Sequence, residues 1–166
     1  GIIVPMVNSR EDVNRAVKAV HYPEKGTRGV GLARAQGYGV NFQENLNWLK
    51  NEAVIIVQIE HITAVENIEA ILSCDNVDGF IIGPYDLSAS MGLPGQFDHP
   101  DLVAALKKIR EAGEAFKKSG GLHIVEPNPQ ELKLRIEEGF NFLAYSVYFR
   151  MLDVSCRTGL QVRDNL

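Results

Sequence analysis

The sequence predicts an α/β fold in which parallel strands are covered by helices. Short apolar runs alternate along the chain with longer segments of helical period, which is typical of such a sheet. The clearest run, Ala53 to Glu60, is almost continuous in Val and Ile, as expected of a strand covered on both faces. The chain of 166 residues is 45% hydrophobic and 23% charged, a composition that fits a single globular domain over residues 1–166.

Five strands are predicted, each followed by helical sequence. In the first unit Asn8 or Ser9 is the expected N-cap, and Glu11 and Asp12 fall in the first helical turn. The predicted strands are Ile2 to Val7, Ala53 to Glu60, Gly79 to Gly83, Gly121 to Val125 and Phe142 to Ser146. The predicted helices after the first cover residues 42–51, 63–74, a short stretch from near 86, then 99–119, 129–138 and the end of the chain.

A connector rich in Pro and Gly joins the first two units. It runs for 18 residues from Tyr22 to Gly39, and its only predicted regular element is a brief strand at residues 29–32. Loops of this length are usually functional or in contact with a partner.

Periodicity alone leaves two architectures open. A complete eight-stranded barrel typically needs about 250 residues, so five strands in 166 residues form either an open doubly wound sheet or most of a barrel. The chain begins at Gly1 rather than Met, inside an apolar run that resembles the middle of a buried strand. We therefore expect upstream sequence to be missing.

Composition excludes several classes of function. The formal charge is −4 and no basic run is present, so neither nucleic acid nor an anionic membrane surface is an expected partner. The apolar stretches are too short to cross a bilayer. Cys74 and Cys156 form no CxxC or zinc pattern, which favours a reducing cytoplasm. Small-molecule chemistry remains the expectation.

Polar residues cluster where two predicted strands end. The period of two places Gln58 and Glu60 on one face of their strand, and Asp86 follows the next strand. Because neighbouring parallel strands end at the same sheet edge, Glu60 and Asp86 are expected to meet. Two carboxylates with open positions for water suit a hard cation such as Mg²⁺ or Mn²⁺, and a chelated 2-keto acid is a natural ligand of that ion.

Structural interpretations of the same residues stay open at this point. Asp86 could be the N-cap of the following helix, and Glu60 could be a loop residue neutralised by His61. Gly83 and Pro84 could form a simple turn, although exposed amides beside them would also suit a carboxylate or phosphate.

Four runs of the sequence together form a recognisable pattern: Gly1 to Val7, Tyr22 to Gly31, Val57 to Glu60 and Gly83 to Gly92. The most specific part is the pair Glu60 and Asp86, with GPYDLSASMG around the second carboxylate. In order and spacing these runs resemble the HpcH/HpaI family of class II, metal-dependent pyruvate aldolases, and the resemblance extends from Gly1 to about Tyr145.

The resemblance implies a (β/α)8 TIM barrel, represented here by about its last five βα units, in a homo-oligomer that is commonly a hexamer. It implies cleavage of 4-hydroxy-2-keto acids to pyruvate and an aldehyde through an enolate stabilised by Mg²⁺, Mn²⁺ or Co²⁺. Glu60 and Asp86 would be the metal ligands, and Gln58 would contact pyruvate or metal-bound water. The Gly83-Pro84-Tyr85-Asp86 segment would bind substrate, with the amides of Tyr85 and Asp86 holding the pyruvate carboxylate.

The sequence also departs from the family pattern. The family's catalytic base, a His supported by an Asp, and its oxyanion-stabilising Arg lie upstream of the segment that matches Gly1, so no catalytic residue is identified in this chain. His61 stands where Thr is usual, and Tyr85 where a smaller residue is common. His123 is expected either to face the barrel interior or to be a structural core histidine.

Two other functions remain as alternatives. A citramalyl- or malyl-CoA lyase would use a similar metal pair, although no basic cluster for the nucleotide is evident. A non-catalytic barrel module would keep the fold without the base. In every case the open sheet edges of a partial barrel must be covered by partner chains or by the absent segment.

Overall fold

Five parallel strands form one sheet in the order β1-β2-β3-β4-β5. The computed structural model describes residues 1–164, except for the side chains of residues 162 and 164. The strands are β1 (Ile2–Val4), β2 (Ile55–Ile59), β3 (Gly79–Ile82), β4 (Ser119–Ile124) and β5 (Phe142–Tyr145). All five predicted strands are therefore confirmed, with ends that differ from the prediction by a few residues.

Eight α-helices cover the described part of the chain. Ser9 caps the first of them, because its side chain accepts a hydrogen bond from the amide of Asp12. The helices are α1 (Arg10–Val20), α2 (Phe42–Asn51), α3 (Ile62–Glu66), α4 (Ile68–Leu72), α5 (Pro84–Ser90), α6 (Pro100–Ala115), α7 (Pro129–Glu137) and α8 (Tyr148–Asp164).

The strictly sequential strand order decides between the two architectures that the sequence left open. A doubly wound sheet reverses its strand order at a switch point, whereas each strand here pairs with the next along the chain. Because crossovers between parallel strands are right-handed, a sequential order places every connecting helix on the same face. The chain therefore forms part of a β/α barrel, with helices outside and the other sheet face inside.

The hydrophobic core lies between the sheet and the helices. Alternate residues of the strands point into it and are almost fully buried; they are Ile55, Val57, Ile59, Phe80, Ile82, Leu122 and Ile124. The inner face is less completely covered, since Ile3 on β1 is 48% exposed and Phe142 on β5 is 37% exposed. The first strand is therefore not buried as predicted, because it is the edge of the sheet in the described residues.

Two local predictions were wrong, and the start of one predicted helix differs by two residues. Residues 29–32 form no strand, and the connector instead contains a 3₁₀ helix, Arg34–Gly39, in which Gly37 and Tyr38 adopt left-handed φ values of 57° and 54°. The helix expected over residues 63–74 is divided at Asn67 into α3 and α4. The helix expected to start near Asp86 starts at Pro84, since proline fits the first helical position.

No helix within residues 1–164 is both long enough and apolar enough to cross a membrane.

Phe80 provides a test of this core. Its side chain is 1% exposed and is confined by Gly113 of α6 and Gly120 of β4, where an added Cβ would lie 2.5 Å and 3.0 Å from the ring. Phe80→Ala should lower the free energy of unfolding by about 3–5 kcal/mol, measured by urea denaturation, because it leaves a cavity. Phe142→Ala on the inner face should lower the free energy of unfolding clearly less, because this side chain is partly exposed. Equal losses would contradict the assignment of the two faces.

Candidate metal and keto-acid site

Glu60 lies at the carboxyl end of β2 and faces the barrel interior together with Gln58. Their neighbours Val57 and Ile59 point into the helix-covered core, and alternation along the strand sends Gln58 and Glu60 to the opposite face. Glu60 is only 6% exposed. A carboxylate buried to this extent needs hydrogen-bond or cation partners to offset its lost hydration.

Two hydrogen bonds fix the Glu60 carboxylate. The backbone amide of Met6 donates to Oε1 over 2.8 Å, and the side-chain amide of Gln58 donates to Oε2 over 2.5 Å. Met6 has a left-handed φ of 53°, a conformation uncommon for a residue with a side chain. Each carboxylate oxygen accepts one of these bonds and keeps lone-pair capacity for a further ligand.

Gly83 lets the side chains of Glu60 and Gln58 pack directly against the backbone that follows the next strand. It follows β3, and its amide donates to the carbonyl of Ile59 over 3.2 Å. A Cβ at this position would lie 3.0 Å from Oε2 of Glu60 and 3.1 Å from Nε2 of Gln58. A side chain there would therefore disturb the hydrogen bond between Gln58 and Glu60.

Asp86 lies in the first turn of α5, next to Gly83. The N-cap of this helix is Gly83 and Pro84 follows it, so the interpretation of Asp86 as an N-cap is wrong. The Asp86 side chain is exposed and makes no hydrogen bond or ion pair with the residues the structure describes. The amides of Tyr85 and Asp86 belong to the first helical turn, where backbone N–H groups have no partner within the helix.

His61 does not neutralise Glu60. Its Nδ1 accepts a hydrogen bond from the amide of Thr63 over 3.2 Å and so caps α3. The interpretation of Glu60 as a loop carboxylate paired with His61 is therefore wrong. The buried carboxylate is instead bonded to Met6 and Gln58.

Two serines of α5 that sequence reasoning missed hold this corner in place. Ser88 is fully buried; its hydroxyl donates to the carbonyl of Tyr85 over 2.8 Å and accepts from the amide of Gly95 over 3.1 Å. The hydroxyl of Ser90 accepts from the amide of Ile62 over 2.9 Å. Their only sequence signal was their place in the run that follows Asp86.

The donor set suits a hard divalent cation. Within residues 1–164 no cluster of three or more His, Cys, Asp or Glu side chains could enclose a metal ion. Two carboxylates at one sheet edge instead leave positions for water and substrate oxygens, as Mg²⁺ and Mn²⁺ prefer. Glu60 and Asp86 therefore fit a metal shared with an oxygen-bearing ligand, and do not fit a fully enclosed structural site.

Relatives of known name match most of this chain. It is 40% identical over 154 residues to a 2-keto-3-deoxy-L-rhamnonate aldolase of Klebsiella pneumoniae, covering 88% of this chain and 54% of that protein. It is 38% identical over 156 residues to a hydroxypyruvate/pyruvate aldolase of Roseobacter denitrificans, covering 91% of this chain and 59% of that protein. The chain thus spans little more than half the length of these relatives.

Solved structures confirm the predicted fold, a part of a TIM-type barrel. The HpcH/HpaI aldolase from Desulfitobacterium hafniense superimposes with a TM-score of 0.85 at 28% identity, covering 99% of this chain and 63% of that one. An HpcH/HpaI aldolase/citrate lyase family protein from Burkholderia cenocepacia superimposes with a TM-score of 0.89 at 28% identity, covering 97% of this chain and 64% of that one. The family model of the HpcH/HpaI aldolases and citrate lyases matches residues 1–149, and the chain belongs to this family.

Proposed function

We propose that this chain is the metal- and keto-acid-binding part of an aldolase that cleaves 4-hydroxy-2-keto acids to pyruvate and an aldehyde. The observation that carries the proposal is the buried carboxylate of Glu60, which Met6 and Gln58 hold at the sheet edge where α5, with Asp86 in its first turn, also begins. Relatives at 38–40% identity that bear aldolase names support the same reaction class.

Glu60 and Asp86 are the proposed ligands of Mg²⁺, Mn²⁺ or Co²⁺. When bound, such an ion acts as a Lewis acid toward the keto group and stabilises the negative charge that develops there as the carbon-carbon bond breaks. Glu60 is already oriented for this role by its two hydrogen bonds, which lowers the cost of arranging the site when a ligand binds.

The neighbouring residues are proposed to position the substrate. Gln58 orients Glu60 through its amide nitrogen, and its carbonyl oxygen remains available to accept from a water or a substrate hydroxyl. Gly83, which has no side chain, lets the bonded pair of Gln58 and Glu60 lie against the turn that leads into α5, and Gly83 and Pro84 are proposed to contact the substrate there. The first-turn amides of Tyr85 and Asp86 are candidate donors to the substrate carboxylate.

Bond cleavage also requires a base to remove the proton of the 4-hydroxyl group. Among the described residues none is assigned this role. We propose that the base and its supporting groups come from protein outside residues 1–164, in a single barrel domain completed by that part.

The exposed apolar surface supports assembly into an oligomer. On α8, Tyr148, Phe149 and Leu152 are 83%, 62% and 64% exposed. Large apolar residues grouped in this way usually contact another polypeptide. A homo-oligomer in a reducing cytoplasm is therefore proposed, and the two free cysteines agree with that compartment.

Manganese binding tests the proposed site directly. The protein should bind Mn²⁺ more tightly when pyruvate is present, because the keto acid completes the coordination of the ion, and Glu60→Ala/Asp86→Ala should lose that enhancement. Free Mn²⁺ is measured by electron paramagnetic resonance at increasing metal concentration. Glu111→Ala/Glu114→Ala, which removes the same charge from α6, is the control. Equal weak binding by all three proteins would favour the non-catalytic module.

Gly83→Ala tests the space beside Glu60 without removing a ligand. Its Cβ would lie 3.0 Å from Oε2 of Glu60, so the carboxylate must move. We expect Mn²⁺ affinity to fall roughly tenfold, as when groups that orient a ligand are altered. Gly159→Ala on α8, where an added Cβ meets nothing within 4 Å, is the matched control. Unchanged affinity of Gly83→Ala would contradict the proposed arrangement.

A further inference from the structure

His123 lies on β4 and faces the same interior as Glu60. Its neighbours Leu122 and Ile124 are 3% and 1% exposed in the helix-covered core, so alternation directs His123 to the opposite face. His123 itself is partly exposed. The structure therefore confirms the expectation that His123 faces the barrel interior.

The strand register brings His123 into one row with Glu60. Ile59 pairs with Ile82, and Ile82 pairs with Leu122. One residue further along, Glu60, Gly83 and His123 occupy neighbouring positions on three consecutive strands. Two strand spacings separate the backbones of Glu60 and His123 by about 10 Å. Gly83, between them, contributes no side chain to the row.

A cavity of about 150 Å³ adjoins His123 at the carboxyl end of β4; its lining also includes Tyr85, Glu126 and, from the helix-covered side, Leu106 and Leu122, but not Glu60. Its charged groups are already paired: Glu126 binds Arg150 at 2.7 Å, and Arg135, also in the lining, binds Glu138 at 2.9 Å. The structure gives no hydrogen bond from the imidazole of His123 or the hydroxyl of Tyr85 to any described residue. These two groups remain available to a ligand.

We propose, on the basis of the aldolase function above, that His123 determines substrate specificity by binding an oxygen substituent outside the chelated 2-keto-acid group. A neutral imidazole has one N–H donor and one acceptor nitrogen, so it pairs with a hydroxyl group in either direction. A site that hydrogen-bonds a substrate hydroxyl discriminates against the analogue without it, because its polar group is then left unpaired. The preferred reactants are therefore hydroxylated rather than alkyl compounds.

The hydroxyl group can belong to the keto acid or to the aldehyde, and two matched pairs separate these sources. Carbon-carbon bond formation is measured with the full-length, Mg²⁺-loaded protein. One pair compares hydroxypyruvate with pyruvate at a fixed aldehyde, and the other compares glycolaldehyde with propanal at a fixed keto acid. The hydroxyl preference is the ratio of kcat/KM for the hydroxylated reactant to kcat/KM for the other member of the pair. His123→Leu should lower this ratio about tenfold in one pair, because roughly one hydrogen bond is lost. His123→Gln, which still donates and accepts, should retain most of the preference.

Two results would overturn the assignment: unchanged preferences in both pairs for His123→Leu, or a loss that follows Tyr85→Phe instead. His99→Asn, which keeps a capping side chain at the start of α6, is the control histidine variant. Dissociation constants for the same ligands, from ligand-observed NMR, report the preference without turnover. If the unmodified protein forms no product, the aldolase function is refuted. If His123→Leu nevertheless loses the binding preference for hydroxylated ligands, the assignment of His123 to their binding is retained.

Discussion

The pairing of β2 with β3 is the constraint on which the rest of the site depends. Because Ile59 lies opposite Ile82, the residues that follow, Glu60 and Gly83, meet side by side at the carboxyl end of the sheet. Burial of the Glu60 carboxylate is unfavourable unless it is hydrogen-bonded, and the Gln58 amide beside it on the same strand meets part of that need. The turn at Gly83 then starts α5 at Pro84 and brings Asp86 to the same edge.

The strands and the shared direction of Gln58 and Glu60 could be predicted from the sequence, because a strand alternates its side chains with a period of two. The family resemblance added the metal-binding roles that are proposed for Glu60 and Asp86. Contacts between distant residues could not be predicted: the amide that binds Glu60 belongs to Met6, 54 residues earlier, in a left-handed conformation that no local pattern signals. The prediction for the connector was also wrong in detail, since it contains 3₁₀ turns interrupted by a kink at Gly37 and Tyr38.

Side chains on the two faces of the sheet are buried to different extents. The face toward the helices is closed by side chains that are almost fully buried, such as Ile59, Phe80 and Leu122. The inner face carries the polar row of Glu60 and His123 and ends in partly exposed apolar residues, Ile3 and Phe142. Stability is therefore concentrated on the side away from the chemistry.

The amide of Met6 connects the candidate site to the edge of the sheet. Met6 follows β1, a strand of three residues that pairs only with β2 in the described structure. Edge segments open locally at low free-energy cost, and an opening that carried Met6 away would leave Oε1 of Glu60 without this donor. Any ligand that requires the ordered carboxylate must then bind the closed form preferentially, and mass action would hold the edge strand in place. Occupancy of the site and hydrogen-exchange protection of β1 are therefore thermodynamically linked.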